Sequence, residues 1–399
     1  MSSRDLHSMI YTIGKNVEVL SNGLHISPYK YTSIDEQIKD CLRQLDVFIS
    51  DLNRQAVLVV YFVDASEAET YHNFSNAIKQ IHQSRYKSPY SIIAQPPVDG
   101  TKVNIEVYHC SAEVNPVFRS FEDTSYCVFY YEEEKFLIAG GLRSKTEKFD
   151  LPRQSNESFR LMKGILDKEE MDFSHIFRQW NYIESIVDKV YDSQRYQIFN
   201  DIRSLYYSDS DFIYGYPAAT GIGTKTGGAI IDFLASTTNK VWPVKNPAQI
   251  DAHKYSGDVL ANNELSEKFK KSTPKFERAK VVSQGESMLV YISGTAAIKG
   301  ETSEAIGDAY NQTLLTIDNI ERLVELENLR AQNIPINKQY SIVPVSFRVY
   351  IKLPDDVKKV QLAFESRFGL FKNVQYLIAD ICRPELLVEF EGTYRLKKM

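Results

Sequence analysis

The sequence predicts an α+β protein made of repeated units, each a mixed sheet with helices packed on one face. Two observations carry this. Strand-like and helix-like apolar patterns alternate through the C-terminal third, and the second half of that series recurs near the N-terminus. In the C-terminal third, SMLVYISGTAAI reads as a strand, followed by a helix near 304–329, strand VPVSFRVYIK, a helix near 355–368, and strands YLIADI and LLVEFEG. Near the N-terminus, a helix near 34–53 precedes strand AVLVVYFV, a helix near 67–83, and strands YSIIAQ and KVNIEVYH. The copies align residue by residue: VVYFVDASE resembles RVYIKLPDD, and KVNIEVYH resembles ELLVEFEG, which sets Glu106 opposite Glu389.

Between the copies, YCVFYYEEEKFLIAGG supplies two more strands. Residues 172–203 carry Phe173, Ile176, Phe177, Trp180, Ile183, Val187, Val190 and Tyr191 at helical spacing, which predicts an amphipathic helix lying on a sheet. Polar SKTEKFDLPRQSNES (residues 144–158) and YYSDSDF near 207 read as loops. A third polar insertion, SGDVLANNELSEKFKKSTPK, contains the basic run EKFKKSTPK, read as a solvated loop. The expected division is a degenerate N-terminal α+β module over 1–115, a middle module over 116–245 and a C-terminal module over 246–399.

A chain of 399 residues with 43% hydrophobic and 25% charged composition suffices for two or three packed units. A net charge of −5 gives no electrostatic reason to expect nucleic acid or an anionic membrane as partner. Cys41, Cys110, Cys127 and Cys382 form neither CxxC pairs nor a dense disulfide framework, which fits a reducing cytoplasm. The start, MSSRDLHSMIYTIGKNVEVL, lacks the apolar core of a signal peptide, and no run of 18 apolar residues occurs, so neither export nor membrane spanning is expected. The expected partner is a small molecule, bound by a monomer or small homo-oligomer.

No metal site is expected, because the seven histidines form no HxxxH or HExxH pair. A Walker loop and a GxSxG elbow are also missing. The glycine cluster ATGIGTKTGG (residues 219–228) lacks phosphate-loop spacing and reads as a tight turn. The last strand is more informative. In ELLVEFEG, Leu386, Val388 and Phe390 form an apolar face, while Leu387, Glu389 and Glu391 point the other way. On an open sheet these would be a solvated acidic pair. In an enclosed cleft, desolvation and like charge would hold one of them protonated, ready to act as a general acid.

Nine segments then form a recognisable set: RQWNYIESI (178–186), RYQIFNDIR (195–203), YPAATGIGTKTGG (216–228), NPAQIDAHKY (246–255), TPKFERA (273–279), YISGTAAIKGE (291–301), GDAYNQT (307–313), RVYIK (348–352) and ADICRPELLVEFEG (379–392). In sequence and order, over roughly residues 115–399, they resemble the chorismatase family. The C-terminal unit also resembles the YjgF, or reactive-intermediate deaminase, superfamily, so the expected units are YjgF/chorismate-mutase-like. Those deaminases carry a substrate-gripping arginine where this chain has Tyr376, which argues against imine deamination.

The resemblance implies a cofactor-free enzyme of secondary metabolism that removes pyruvate from chorismate. Glu389 would protonate the methylene carbon of the enolpyruvyl ether, and the oxocarbenium-like centre would resolve to pyruvate plus a dihydroxycyclohexadiene carboxylate or 3-hydroxybenzoate. Arg203 and Arg278 would grip the substrate carboxylates, unless they serve only to brace the fold. Thr220 would offer a hydroxyl, Gly221 and Gly223 would let the backbone approach the ligand, and His253 and Tyr255 would bond a ring hydroxyl or water. Trp180, Asn181 and Tyr182 would line or brace the cleft, with Trp180 equally in phase with an apolar stripe. Cys382 matches the subgroup that makes 3-hydroxybenzoate. Lys352 stands as a further substrate contact where the family carries an arginine, and Glu301 and Ala305 stand where it carries histidines. The rival reading is a non-catalytic protein of the same fold that binds a cyclic or aromatic carboxylic acid.

Overall fold

A computed structural model describes residues 19–29, 32–145, 150–190, 193–256, 272–285 and 287–399. In the first unit, β1 (Leu20–Ile26), β2 (Arg54–Val63), β3 (Tyr90–Ile93) and β4 (Val103–Ser111) form a sheet of order β1-β4-β2-β3. Helices α1 (Ile34–Asp51) and α2 (Ala68–Gln83) cover one face. Ser33 starts α1 by accepting a hydrogen bond from the Glu36 amide. Apolar side chains at helical spacing, Ile38, Leu42 and Leu45, then meet the strand residues Val59, Tyr61, Ile105 and Val107.

The second unit contains β5 (Val117–Phe121), β6 (Thr124–Tyr131), β7 (Glu134–Arg143), helix α3 (Leu151–Lys168) and β8 (Ile176–Glu184). A short ribbon, β9 (Lys189–Val190) with β10 (Ser193–Gln194), leads to α4 (Arg195–Tyr207), β11 (Ala218–Thr224) and β12 (Ala229–Ser236). The sheet order is β11-β8-β12-β7-β6-β5. In the third unit, β13 (Val241–Val244), β14 (Ala279–Gln284) and β15 (Ser287–Thr295) are followed by a ribbon of β16 (Ile298–Lys299) and β17 (Thr302–Ser303). Helices α5 (Ala309–Val324) and α6 (Leu326–Ala331), strand β18 (Tyr340–Ile351), helix α7 (Val357–Phe368), β19 (Val374–Ile378) and β20 (Val388–Lys398) complete it. Its order is β13-β14-β15-β20-β18-β19.

Each sheet turns its helix-free face toward the others. Val60 and Phe62 from β2, Trp180 and Tyr182 from β8, Ile222 from β11, Tyr291 from β15 and Tyr350 from β18 belong to one shared core between the sheets. Each sheet also contains one parallel pair, β2 with β3, β8 with β11, and β18 with β19, among antiparallel neighbours.

Several sequence expectations need correction. Residues 176–184 are a strand, and the helix begins only at Arg195. Strand β8 lies between β11 and β12 and is buried on both faces, so it shows no alternation, and its dense apolar residues imitate a helical stripe. Tyr191 lies outside the described residues. The expected loop at 144–158 contains the first turns of α3. Asp150 caps that helix through the Arg153 amide, and Pro152 sits in its first turn. Some of its polar residues go inward: Ser158 donates to the Ala229 carbonyl at 2.9 Å.

The glycine cluster is mostly strand β11, and only Gly227 and Gly228 adopt positive φ, at 110° and 75°. The expected 304–329 helix is two helices, parted at Glu325. The repeat is offset as well. Tyr61 lies under the helices while Tyr350, its expected counterpart, lies between the sheets, and a one-residue slip moves a side chain to the opposite face. Residues 257–271 of the polar insertion lie outside the described residues.

Candidate active site

The alternation read in the last strand holds from Val388 on, whereas Leu386 and Leu387, which precede β20, lie on the opposite sides to those expected, Leu386 between the sheets and Leu387 against the helix-covered core. Val388 and Phe390 enter the core under the helices, and Glu389 and Glu391 turn toward the other sheets, both buried. Glu391 is tightly held. Arg178 Nη2 donates to it at 2.6 Å, Arg348 Nη1 lies at 3.0 Å and Trp180 Nε1 donates at 2.8 Å, while the Thr220 hydroxyl supplies a fourth bond. Arg348 continues the chain to Glu106 of the first sheet, and also donates to Tyr182 Oη at 2.8 Å and Tyr108 Oη at 3.1 Å. Burial pushes the Glu106 carboxyl up, but the adjacent Arg348 guanidinium leads the opposing interactions that bring it below the usual range. A line of alternating charge, Glu106, Arg348, Glu391 and Arg178, thus ties the three sheets together.

Glu389 is different. It is 4% exposed, and no described residue donates a hydrogen bond to it. Burial, and then the charge of Glu391, push its carboxyl up to about 8 against the pull of Arg178 and Arg278. It lies against Gly294 of β15, where any Cβ would collide with Oε1. At neutral pH this carboxyl holds its proton in a largely dry setting, as a general acid requires.

Cations surround it. Arg203 on α4 donates to Asn200 Oδ1 at 2.6 Å. Arg278 donates to Tyr255 Oη at 2.7 Å and to the Ile250 carbonyl. Arg178 Nη1, Arg203 Nε and Arg278 Nε are buried donors without an acceptor among the described residues. Such donors are unfavourable unless an anionic ligand satisfies them. Tyr196, also on α4, links the parts: its hydroxyl feels Cys382, Arg203, Glu389 and Tyr255. Among the described residues, no three His, Cys, Asp or Glu side chains converge as a metal site needs, and no helix is long and apolar enough to cross a membrane. Two hollows, one lined by Lys163, Asp172 and Asp209 and the other by His82, Tyr86 and Arg119, lie away from Glu389. The protonated acid on β20 and the unpaired donors lie apart from both hollows.

Residues 115–235 match the family described as chorismatase FkbO/Hyg5-like, N-terminal. A 3-hydroxybenzoate synthase of Streptomyces hygroscopicus is 30% identical over 230 residues, which is 56% of this chain and 64% of that protein. A chorismatase of the same organism is 32% identical over 177 residues, 44% of this chain and 48% of that protein. The matched stretches therefore span less than two thirds of those relatives. A crystal structure of a chorismatase, 19% identical, superposes with a TM-score of 0.67 over 95% of this chain and 99% of its own. The chain shares the fold of that chorismatase and is similar in sequence to chorismatases over the matched stretches.

The expected site residues divide. Thr220, Gly221, Tyr255, Cys382, Arg203 and Arg278 gather around Glu389 and Tyr196. The Thr220 methyl lies 3.3 Å from where a Cβ on Gly294 would sit, and Gly221 faces the Tyr196 ring, 2.7 Å from where its own Cβ would be. The Cys382 thiol is pushed up to about 12 by burial and by Glu389. His253 is half-buried against Tyr216, with ring centroids 5.6 Å apart, and its Nδ1 has no partner.

Others stand elsewhere. Tyr182 and Trp180 belong to the charge line. Asn181 braces β11 by donating to the Thr220 carbonyl at 3.0 Å. Gly223 is engaged in packing: its amide donates to the Asp380 carbonyl at 2.8 Å, and its own carbonyl accepts from Gln95 at 2.7 Å. Lys352 donates to the Pro384 carbonyl at 2.7 Å and so anchors the segment before β20. Glu301 accepts from Ser256.

Two arginines escaped the sequence reading. Arg178 opens the RQWNYIESI segment, but reading that segment as a helix hid the strand face that it shares with Trp180. Arg383 donates to the Glu301 carbonyl at 2.7 Å and lies 5.4 Å from the Tyr255 ring, whose centroid is 5.5 Å from Arg278. That stacking joins distant segments, and only the position of Arg383 inside ADICRPELLVEFEG hinted at it.

Proposed function

We propose that this chain is a cofactor-free enzyme that releases pyruvate from chorismate, acting in the cytoplasm. The observation that carries the reading is Glu389, a buried carboxyl to which no described residue donates a hydrogen bond and which stays protonated near neutral pH beside guanidinium groups that each keep one unpaired nitrogen among the described residues. A vinyl ether carbon is a weak base, so its protonation needs an acid held close and sheltered from water. Arg203 and Arg278 hold the two carboxylates of the substrate, and Tyr255 keeps the Arg278 fork in place.

The double bond of the enolpyruvyl group takes the Glu389 proton, its methylene becomes a methyl group, and the ether carbon becomes cationic. Oxygen attack at that carbon and cleavage of its bond to the ring oxygen release pyruvate. Attack by water leaves a dihydroxycyclohexadiene carboxylate. In the water-free route the ring's neighbouring hydroxyl instead attacks the ring carbon that bears the ether; the bond from that carbon to the ether oxygen breaks, pyruvate leaves with that oxygen as its ketone, and the epoxide so formed opens and loses a ring proton to give 3-hydroxybenzoate. Cys382 beside Glu389 favours 3-hydroxybenzoate. The middle module contributes Arg178, Arg203 and Thr220, the C-terminal module contributes Arg278, Cys382 and Glu389, and the N-terminal module supports them through Glu106.

Incubation of the purified protein with chorismate tests this, with pyruvate followed by a coupled dehydrogenase and the second product identified by mass. Pyruvate and 3-hydroxybenzoate are expected. No pyruvate above the uncatalysed background from folded protein overturns the proposal.

A further inference from the structure

Glu391 has no part in the chemistry above, yet it is the most heavily bonded carboxylate near Glu389. Arg178, Trp180 and Thr220 donate hydrogen bonds to its two oxygens and Arg348 forms an ion pair with it at 3.0 Å, so neither oxygen is left to carry a proton. Glu389, two residues earlier on the same face, receives no donor from the described residues. Along a pleated strand the two lie about 7 Å apart, close enough in a dry interior for strong mutual repulsion.

We propose that Glu391 is a positioning residue that keeps the proton on Glu389: its clamped negative charge opposes ionisation of the neighbour, and the clamp prevents the two carboxyls from sharing one proton. This rests on the activity proposed above and adds a residue that does not touch the substrate.

The groups facing Glu389 make the sign unambiguous. Glu391 comes from β20, Arg178 from β8 and Arg278 from the segment before β14. Tyr196 comes from α4, and Cys382 from the segment before β20. Burial keeps the tyrosine and cysteine neutral, so one negative charge balances two positive ones. Removing Glu391 leaves two arginines facing Glu389 and frees Arg178 of an anionic partner. Both changes favour loss of the Glu389 proton.

The test uses full-length protein carrying glutamate labelled with 13C at the carboxyl, titrated by NMR, alongside the pH dependence of kcat for pyruvate release. In the wild type, the Glu389 signal should titrate near pH 8. Glu391→Gln should move the Glu389 titration down by roughly a pH unit or more. The falling limb of kcat should follow, with the low-pH plateau retained. Glu391→Asp, which restores the charge, should bring the limb back, and Arg178→Gln should move it upward. Displacements of opposite sign would not arise from a merely loosened structure.

An unmoved Glu389 titration in Glu391→Gln overturns the proposal. So does a wild-type titration in which Glu391 carries the proton at neutral pH, a result that needs no variant to fold. Absence of pyruvate from the wild type at every pH, with the expected NMR displacement present, defeats the proposed activity and leaves the role of Glu391 supported.

Discussion

Replacing Glu389 with glutamine should make the protein more stable, and increasingly so as the pH rises. The carboxyl goes from an ordinary 4.5 to about 8 in the folded chain. Between those values the folded state holds a proton that the unfolded state has released, so unfolding stability falls with rising pH. The loss is fully developed above pH 8. At about 1.4 kcal/mol per pH unit it amounts to on the order of 5 kcal/mol. Glutamine has the shape of the protonated acid and does not titrate, so it escapes the loss.

Chemical denaturation at pH 4, 6, 7 and 9 measures this as the stability of the variant minus that of the wild type. The difference should be near zero at pH 4 and open steadily up to pH 8. Asp232, pushed up to about 6 by burial, and Lys280, pulled down to about 7, titrate in the same window. They are present in both proteins and cancel in the difference. A difference that does not change with pH, or that reverses sign, would refute the buried-acid argument. The same variant should release no pyruvate at any pH.

Gly294→Ala should nearly abolish pyruvate release by driving the Glu389 carboxyl from its position, while overpacking costs about 1–3 kcal/mol of stability; turnover equal to the wild type in a folded variant would contradict the site geometry. Arg348→Met should cost about 3–5 kcal/mol by leaving Glu106 buried without its cation, measurable as a lower denaturation midpoint. Arg278→Lys should raise KM for chorismate about tenfold or more and change kcat less, because an ammonium cannot reproduce the guanidinium fork; steady-state kinetics separate the two effects.

How far the sequence could be read depended on how each element meets its surroundings. The helices of the first and third units have one buried and one open side, and their periodicity shows it; strands such as β2 and β4 are buried on both faces and were legible as short runs rich in β-branched and aromatic residues. Strand β8 has no open side, so its pattern misled. Strand β11 was hidden by its glycines, two of which permit close approach by Tyr196 and Asp380, contacts that no local signal records. Helix α3 was hidden by its polar first turns, where Ser155 and Ser158 are buried and Ser158 donates to the Ala229 carbonyl. In the site, the alternation of Glu389 and Glu391 was legible because it is local. The clamp on Glu391 was not, since its donors come from β8, β11 and β18.

The Glu106 to Arg178 line also bears on how the units depend on one another. Stripping away the first sheet would leave the Arg348 guanidinium in the heart of the molecule with one counter-ion instead of two, and would unseat the anchor on which Glu391 rests. The amino-terminal copy, although it supplies no reacting group, is thereby made indispensable: the three parts must stand or fall together, and a shortened form would forfeit its reactive centre along with its integrity.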